Sequence, residues 1–303
     1  MNTYRYPIAV MWNYGYQCNM SCIHCYSRVE AAENRSSVMT SVQAKYIAHE
    51  IVLTQAMHVH FGGGEPLMRD DFGSIAAYLT KAGVSVSLSS NGTYINEDMA
   101  QLLLHIPIDR VALSFHGVTS VTHDTFTRYP GSFDGLLRAC ENLVRTGVRA
   151  KIVYSLNAHT RRESTEVFNF AQDCGITSIQ FSPVKITGNA AKNIQDLQLK
   201  PEEWKSLYKD IIAKAKDYPD LNIHLGFDNN PVVAGYIGKI ILPCPCGRYS
   251  ITVKPNGDVS PCNIVSIVVG NVFQQSLLDI WQNAPELRAI RNEAKSPCMA
   301  LQA

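Results

Sequence analysis

Short apolar runs rich in β-branched and aromatic residues alternate along the chain with longer segments whose apolar positions recur at helical spacing. The apolar runs predict six strands, at residues 8–15, 58–64, 84–92, 110–117, 149–157 and 178–184. The helical spacing predicts helices at residues 40–55, 71–82, 96–105, 133–146, 162–174 and 201–216. Because strand and helix alternate, we expect an α/β fold with a parallel sheet curved into a barrel, and functional residues on the loops that follow the strands.

The pattern changes near residue 244. The sequence ITVKPNGDVSPC predicts two short strands joined by a Pro-Asn-Gly turn, and SLLDIWQNAPELRAIRN predicts a helix. Residues 188–200 have the composition of a polar connector. We therefore predict a barrel core at residues 1–200, a helical connector and closing segment at 201–243, and a small module of one β-hairpin and one helix at 244–303.

Composition and charge narrow the class of partner. With 27 Lys and Arg against 26 Asp and Glu the chain is almost neutral, so we expect neither nucleic acid nor a membrane surface as a partner. The sequence has no signal-peptide pattern and no apolar stretch long enough to span a bilayer, which predicts a cytoplasmic protein. Nine cysteines, three of them within eight positions, therefore indicate metal or redox chemistry rather than disulfides.

Three cysteines follow the first predicted strand directly. Cys18, Cys22 and Cys25 have the spacing C-x3-C-x2-C. Three thiolates on one loop can bind three irons of a four-iron four-sulfur cluster, which leaves the fourth iron without a protein ligand. A zinc site is the alternative, with His24 or a distant cysteine as the fourth ligand.

The sequence GGGEP follows the second predicted strand, at residues 62–66. Successive glycines allow the backbone to approach a ligand closely, and the carboxylate of Glu65 can pair with an ammonium group. A plain tight turn is the alternative for the three glycines taken alone.

The order of these motifs resembles the radical S-adenosylmethionine (SAM) superfamily, and the resemblance spans most of the chain. It implies a partial six-unit (β/α) TIM-like barrel in which Cys18, Cys22 and Cys25 hold a 4Fe-4S cluster whose open iron is chelated by SAM. One electron from the reduced cluster then cleaves SAM to a deoxyadenosyl radical. The family's aromatic position before the third cysteine is His24 here, which implies stacking on the adenine, with Tyr26 beside it.

The same resemblance implies the rest of the SAM pocket. Residues Gly63, Gly64, Glu65 and Pro66 match the motif that recognises the methionine amino group. The resemblance assigns the contacts with the ribose and carboxylate of SAM to Ser89, Ser90, Asn91 and Ser114. Residues 182–190 match the family's segment that reaches the adenine. Capping of a helix or a turn is the alternative for the serines and the asparagine. The family often has an acid at the position of His116, which we interpret as facing substrate or as a core histidine.

A second group of cysteines lies in the C-terminal module. Cys246 and Cys262 frame the spacing C-x10-G-x4-C, with Cys244 just before and Cys298 near the end. This spacing resembles the SPASM and twitch extensions of radical SAM enzymes, which implies an auxiliary 4Fe-4S cluster held by these four cysteines. The alternative is that Cys244 or Cys246 stays a free thiol that donates a hydrogen atom to a substrate radical, as an epimerase requires.

These observations predict a radical SAM enzyme of the oxidoreductase or epimerase type. The first strand begins within ten residues of Met1, and no peptide-recognition domain fits before it. We therefore predict a small-molecule natural product such as an aminoglycoside or sugar as the substrate, modified by epimerisation or dehydrogenation. Maturation of a ribosomal peptide is the alternative, and a non-catalytic zinc-binding scaffold is the remote one. The chemistry implies an electron donor such as flavodoxin or ferredoxin.

Overall fold

The computed structural model describes residues 4–27, 39–226 and 244–292. All six predicted strands are present: β1 (Ala9–Gly15), β2 (His58–Gly63), β3 (Ser85–Ser90), β4 (Arg110–Phe115), β5 (Ala150–Leu156) and β6 (Ser178–Pro183). The helices among them are α1 (Ser41–Leu53), α2 (Phe72–Lys81), α3 (Glu97–His105), α4 (Ser120–Thr127), α5 (Ser132–Thr146) and α6 (Val167–Asp173). Short 3₁₀ turns lie at Pro66–Met68 and Arg161–Glu163. The alternation read from the sequence is therefore confirmed.

The structure also contains elements that were not predicted. Helix α4 follows β4, and the segment predicted as a polar connector contains α7 (Asn189–Lys192) and α8 (Ile194–Leu197). Ala190 and Leu197 bury their side chains against Phe126 of α4, so two apolar residues are enough to fold a mainly polar segment onto the barrel. Helix α9 (Pro201–Ala215) is as predicted, and it leads to a seventh strand, β7 (Asn222–Leu225).

The strands form one sheet in which β1 to β7 are parallel and ordered as in the chain. Beyond β1 the sheet continues through β8 (Ser250–Val253), β9 (Asp258–Ser260) and β10 (Gly270–Asn271). Strand β8 pairs in parallel with β1, from Ala9 opposite Ser250 to Trp12 opposite Val253. Within the described ranges β7 and β10 are the two edges of this sheet, so the barrel is partial.

The predicted C-terminal hairpin is confirmed and belongs to the barrel sheet. Strands β8 and β9 are antiparallel, with Val253 opposite Val259. The turn between them places Gly257 at φ +84°, a conformation that glycine adopts without strain. The predicted single helix is instead two, α10 (Leu277–Asn283) and α11 (Pro285–Asn292). Pro285 explains the break, because proline cannot continue a helix but suits the first turn of a new one.

The two faces of the barrel strands differ in polarity. Val10, Trp12 and Tyr14 of β1 alternate with Met11 and Asn13, and the first three are fully buried against the surrounding helices. On β2, Phe61 faces outwards in the same way and packs on Trp12 with ring centroids 5.2 Å apart. The inward positions of the strands therefore carry the polar residues, as a barrel that binds a ligand requires. Among the described helices, none is both long and apolar enough to cross a membrane.

Candidate active site

The carboxyl ends of the barrel strands enclose a cavity of about 320 Å³. It is bounded by the loop after β1, the glycine-rich end of β2 and the ends of β3 and β4. The residues predicted for the SAM site that line it are Cys18, Cys22, Cys25, His24, Tyr26, Gly63, Gly64, Glu65, Ser89, Ser90, Asn91 and Ser114. Pro66 lies outside the wall, where it begins the 3₁₀ turn Pro66–Met68. His116 also lines the cavity.

Backbone hydrogen bonds fix the cysteine loop against α4. The amide of Ser21 donates to the carbonyl oxygen of Thr127 over 3.1 Å, and the amide of Ile23 donates to that of Phe126 over 3.0 Å. The last carbonyl groups of a helix lack partners within the helix. The end of α4 therefore serves as an acceptor site that holds the cysteine loop.

Two asparagines fix the other side of this loop. The Asn189 side chain donates to the carbonyl oxygen of Cys22 over 3.2 Å, and the Asn193 side chain donates to that of Ile23 over 3.0 Å. The amide of Asn189 also donates to the carbonyl oxygen of Cys25 over 3.0 Å. Gly188 lies so close that a Cβ there would stand 2.6 Å from the Tyr26 carbonyl oxygen. Sequence reasoning missed this contact, and the only signal for it was a Gly-Asn pair in a polar stretch.

Polar groups of the surrounding loops lie beside two of the cysteine sulfurs. The amide of Met20 donates to Cys18 Sγ over 3.4 Å, and Asn91 Nδ2 lies 4.0 Å from the same sulfur. Cys25 Sγ lies 3.4 Å from the hydroxyl of Ser27, which donates to the carbonyl oxygen of Gly63. The two donors at Cys18 favour the thiolate form that binds iron, whereas the single hydroxyl proton of Ser27 goes to Gly63.

The three glycines of the GGGEP segment serve two different purposes. The amide of Gly64 donates to the carbonyl oxygen of Gly15, and the amide of Glu65 donates to that of Gln17, both over 2.8 Å. A Cβ on Gly64 would lie 2.0 Å from the Gln17 carbonyl oxygen, so this glycine is needed for the close approach of the two loops. A Cβ on Gly62 would meet no atom within 4 Å and would point into open space. Gly62, which lines the cavity, therefore leaves room for a ligand.

Glu65 is a buried carboxyl group at the centre of the site. One of its oxygens accepts from the Ser90 hydroxyl over 2.9 Å, and the other accepts from the Asn91 amide over 2.8 Å. Burial raises the pKa of Glu65 to about 7, although these hydrogen bonds oppose the shift. Glu65 thus positions the end of β3, and a cation in the cavity would favour its charged form.

His24 packs within a group of aromatic rings. Its ring centroid lies 4.8 Å from those of His116 and Phe126, and His116 stacks on Phe126 at 4.5 Å. Burial lowers the pKa of His24 to about 4, which keeps its ring neutral. The ligand atoms of Cys22, His24 and His116 lie within 4.8 Å of one another, so the zinc alternative also retains a candidate ligand set.

The cavity fits a polar ligand. Asn13 Nδ2 and His24 Nδ1 are buried, belong to residues of the cavity wall and have no hydrogen-bond partner within the described ranges. Buried donors and acceptors are rarely left unsatisfied in a folded protein. Together with three sulfurs, a buried carboxyl group and the space at Gly62, they match what a cluster with a bound amino acid derivative needs.

The cysteines of the C-terminal module lie close together. Cys246 lies within hydrogen-bonding reach of the thiols of both Cys244 and Cys262, and these contacts raise its pKa. The amide of Ile264 donates to Cys262 Sγ over 3.4 Å. Cys298, the fourth predicted ligand, lies outside the described residues. Three of the four predicted auxiliary ligands are thus brought together.

The same module contains three buried cations. Arg248, Lys254 and Arg291 are each buried, and Arg291 Nε donates to the carbonyl oxygen of Gly247, the neighbour of Cys246, over 2.9 Å. Four thiolates around an iron–sulfur cluster carry net negative charge, and buried cations offset it. The charges present therefore fit an auxiliary cluster.

One side-chain contact joins the two groups of cysteines. Asn263, next to Cys262, donates from Nδ2 to the hydroxyl of Tyr26, next to Cys25, over 3.1 Å. Asn263 also lines the cavity. Sequence reasoning missed this residue, because 237 positions separate it from its partner.

Comparisons with known proteins agree with this geometry. The family model of the radical SAM superfamily matches residues 12–178, and that of the SPASM iron-sulfur cluster-binding domain matches residues 244–300. Mycofactocin maturase MftC of Mycobacterium ulcerans is 29% identical, over 94% of this chain and 77% of its own length. An AdoMet-dependent heme synthase of Methanosarcina barkeri is 26% identical, over 96% of this chain and 87% of its own length.

The fold also matches solved structures. The crystal structure of Streptococcus suis SuiB bound to precursor peptide SuiA superposes with a TM-score of 0.76 at 16% identity, over 96% of this chain and 68% of that one. The matching domains confirm the predicted cofactors, which are a SAM-binding 4Fe-4S cluster, SAM and an auxiliary cluster.

The maturase relatives overturn the predicted substrate class. A small molecule such as an aminoglycoside or sugar is the wrong prediction, because the similarity to a maturase extends over 94% of this chain. That prediction relied on the absence of a peptide-recognition domain before β1. The similarity to the maturases covers the barrel and the C-terminal module, so the sequence before β1 does not decide between the two substrate classes.

Proposed function

Because the chain belongs to the radical SAM superfamily and carries a SPASM domain, we propose that it is a maturase that modifies a peptide substrate. The observation that carries this proposal is the similarity to mycofactocin maturase MftC across both the barrel and the C-terminal module. Fold neighbours solved with peptides, SuiB with SuiA and anSMEcpe with Cp18Cys, are consistent with it at the level of architecture.

We assign the first group of cysteines to the SAM-binding cluster. Cys18, Cys22 and Cys25 hold the cluster, and the amide of Met20 stabilises the thiolate of Cys18. When bound, the cluster and SAM supply a radical that removes a hydrogen atom from an unactivated carbon of the peptide. The barrel around the cavity excludes water from that step.

The residues of the cavity wall bind and orient SAM in this proposal. Glu65 pairs with its ammonium group, and the backbone of Gly63 and Gly64 lies along it. The hydroxyl and amide groups of Ser89, Asn91 and Ser114 bind the ribose and carboxylate, and Pro66 fixes the backbone after Glu65. His24 offers a neutral ring face to the adenine, and Tyr26 holds Asn263 beside it.

We assign the C-terminal cysteines to the auxiliary cluster, with Cys244, Cys246, Cys262 and Cys298 as ligands. The contact of Cys246 with both neighbouring thiols supports a shared metal centre over a single free thiol. An enzyme of this kind oxidises its substrate, which makes it an oxidoreductase rather than an epimerase. Its electrons for SAM cleavage come from a carrier such as flavodoxin or ferredoxin.

The test uses the anaerobically reconstituted protein with SAM, dithionite and synthetic peptides encoded next to its gene. We expect deoxyadenosine to form and a peptide to change mass, measured by liquid chromatography and mass spectrometry. Cys22→Ser should abolish both products. An iron porphyrin is the control substrate, because one relative is named a heme synthase.

Three results would contradict parts of the proposal separately. Deoxyadenosine without any peptide product, together with turnover of the porphyrin, would reject the peptide substrate and keep the radical chemistry. Zinc with no iron in protein prepared without oxygen would reject both and favour the scaffold alternative. In deuterated water, deuterium uptake into the product that is lost in Cys244→Ala or Cys246→Ala would favour the epimerase.

A further inference from the structure

A continuous hydrogen-bonded chain of serines and histidines runs along the inner face of β2 and β3. The strands pair in register, with His58 opposite Ser85 and His60 opposite Ser87. His58 Nδ1 lies 3.2 Å from Ser85 Oγ, and His58 Nε2 lies 2.8 Å from Ser87 Oγ. His60 Nδ1 lies 2.8 Å from the same Ser87 hydroxyl, and His60 Nε2 lies 2.8 Å from Ser89 Oγ.

The two ends of this chain lie in different environments. Ser85 is exposed at the amino ends of the strands, whereas His60 and Ser89 line the cavity. The four steps from Ser85 to Ser89 span about 13 Å along β3, at roughly 3.3 Å per residue. The chain therefore connects solvent on one side of the barrel with the cavity on the other.

The hydrogen bonds of the chain are satisfied in either of two directions. A neutral imidazole has one donor and one acceptor nitrogen, and a hydroxyl can donate one bond while accepting another. In one setting Ser85 donates to His58, His58 to Ser87, Ser87 to His60, and His60 to Ser89. In the other setting every bond is reversed, and both histidines hold their proton on Nδ1. Passing from one setting to the other requires one proton to enter at one end and one to leave at the other.

The surroundings keep both rings neutral. Burial, together with the charges of His58 and Lys151, lowers the pKa of His60 to about 4. Burial also lowers the pKa of His58, with Asp109 raising it and Lys151 lowering it. Asp109 lies at the start of β4 and is paired with Arg149, while Lys151 on β5 donates to Gln180 on β6. The rings thus retain the donor and acceptor that the two settings need.

We propose that Ser85, His58, Ser87, His60 and Ser89 form a path that carries protons between the cavity and solvent at the amino ends of the barrel strands. Ser89 accepts a proton from an acidic group of a molecule in the cavity while its own proton passes to His60 Nε2. The Nδ1 proton of His60 passes to Ser87, that of Ser87 to His58 Nε2, and the Nδ1 proton of His58 leaves through Ser85 to water. One proton enters and one leaves, so every residue keeps its charge.

The path extends beyond the proposed peptide maturation and is tested without any substrate. The cluster-loaded, full-length protein is labelled with ¹⁵N at histidine, and the ring nitrogens are observed by long-range ¹H–¹⁵N correlation. His58→Gln and His60→Gln assign the two rings. We expect averaged shifts for the two nitrogens of each ring, because both tautomers are populated and exchange.

Ser87 is the residue that joins the two rings, so Ser87→Ala should abolish the averaging in both. Ser87→Thr keeps the hydroxyl and should restore it, while Ser178→Ala removes a buried hydroxyl of β6 outside the chain and should change nothing. Melting curves of each variant show whether it has folded. If the cluster broadens the His60 signals, His58 reports the same exchange because both rings share Ser87.

A single fixed tautomer of both rings in the unmodified protein would overturn the proposal and make the chain a static brace between two strands. Averaging that survives in folded Ser87→Ala would overturn it as well, since the rings would then exchange protons by another route. Neither result would bear on the peptide substrate, which is measured by the mass of the product.

Discussion

The junction between the cysteine loop and the glycine-rich segment gives the sharpest prediction, because two neighbouring glycines should respond to the same substitution in opposite ways. In Gly64→Ala the new Cβ would lie 2.0 Å from the Gln17 carbonyl oxygen and 2.7 Å from its carbonyl carbon, both backbone atoms. In Gly62→Ala the Cβ would have no neighbour within 4 Å and would project into the cavity.

The expected magnitudes follow from these contacts. Relief of the clash at Gly64 must separate the loops and break the bonds from Gly64 to Gly15 and from Glu65 to Gln17. Each such bond contributes about 0.5–1.5 kcal/mol net to stability. With the remaining strain, we therefore expect Gly64→Ala to lower the free energy of unfolding by about 2–4 kcal/mol. Gly62→Ala should raise the free energy of unfolding by about 0.4–1 kcal/mol, because alanine restricts the conformations of the unfolded chain. A methyl group that crowds the bound ligand costs about 1–3 kcal/mol, or roughly 5- to 150-fold in the dissociation constant for SAM.

Scanning calorimetry measures the first effect, and titration of cluster-loaded protein with SAM measures the second. Gly64→Ala should melt several degrees lower and take up less iron, whereas Gly62→Ala should melt at or above the unmodified protein and bind SAM weakly. An unchanged melting temperature for Gly64→Ala would refute the close-approach argument. Unchanged SAM affinity in Gly62→Ala would show that the cavity beside Gly62 does not hold the ligand.

Three further predictions concern Glu65, the cysteine loop and the C-terminal cysteines. Because burial raises the pKa of Glu65 from 4.5 to about 7, this group binds an extra proton in the folded state between these values, so its own contribution to stability falls as pH rises from 4.5 to 7. The melting temperature of Glu65→Gln should therefore rise more steeply with pH over this range than that of the unmodified protein, and an equal slope would contradict the assignment. Asn193→Ala removes the hydrogen bond to the Ile23 carbonyl oxygen, so iron loading should fall while the fold is retained. Unchanged iron content would show that this contact does not hold the cysteine loop in place for the cluster. Cys246→Ser should lower the iron count by about one four-iron cluster. Replacing Cys18, Cys22 and Cys25 together by alanine should leave that auxiliary cluster in place. If the triple variant contained no iron, the result would argue against an auxiliary site.

Local pattern determined most of the architecture. The alternation of apolar runs and helical spacing was sufficient for the six barrel strands, because both periods depend only on nearby residues. The spacing of Cys18, Cys22 and Cys25 and the GGGEP segment likewise lie within single loops, so they could be found without the fold. The Pro-Asn-Gly turn predicted the hairpin of β8 and β9 for the same reason.

The tertiary structure alone decided which distant segments meet. Strand β8 lies beside β1, Asn189 holds the carbonyl of Cys22 across 167 positions, and Asn263 reaches Tyr26 across 237. The serines and histidines of β2 and β3 form a chain only because the two strands pair in register. Such contacts depend on how the whole sheet closes and on which side chains then face inwards, and neither follows from spacing along the chain. The substrate class was mispredicted for a related reason, since it depends on the surface that the folded core presents rather than on any short motif.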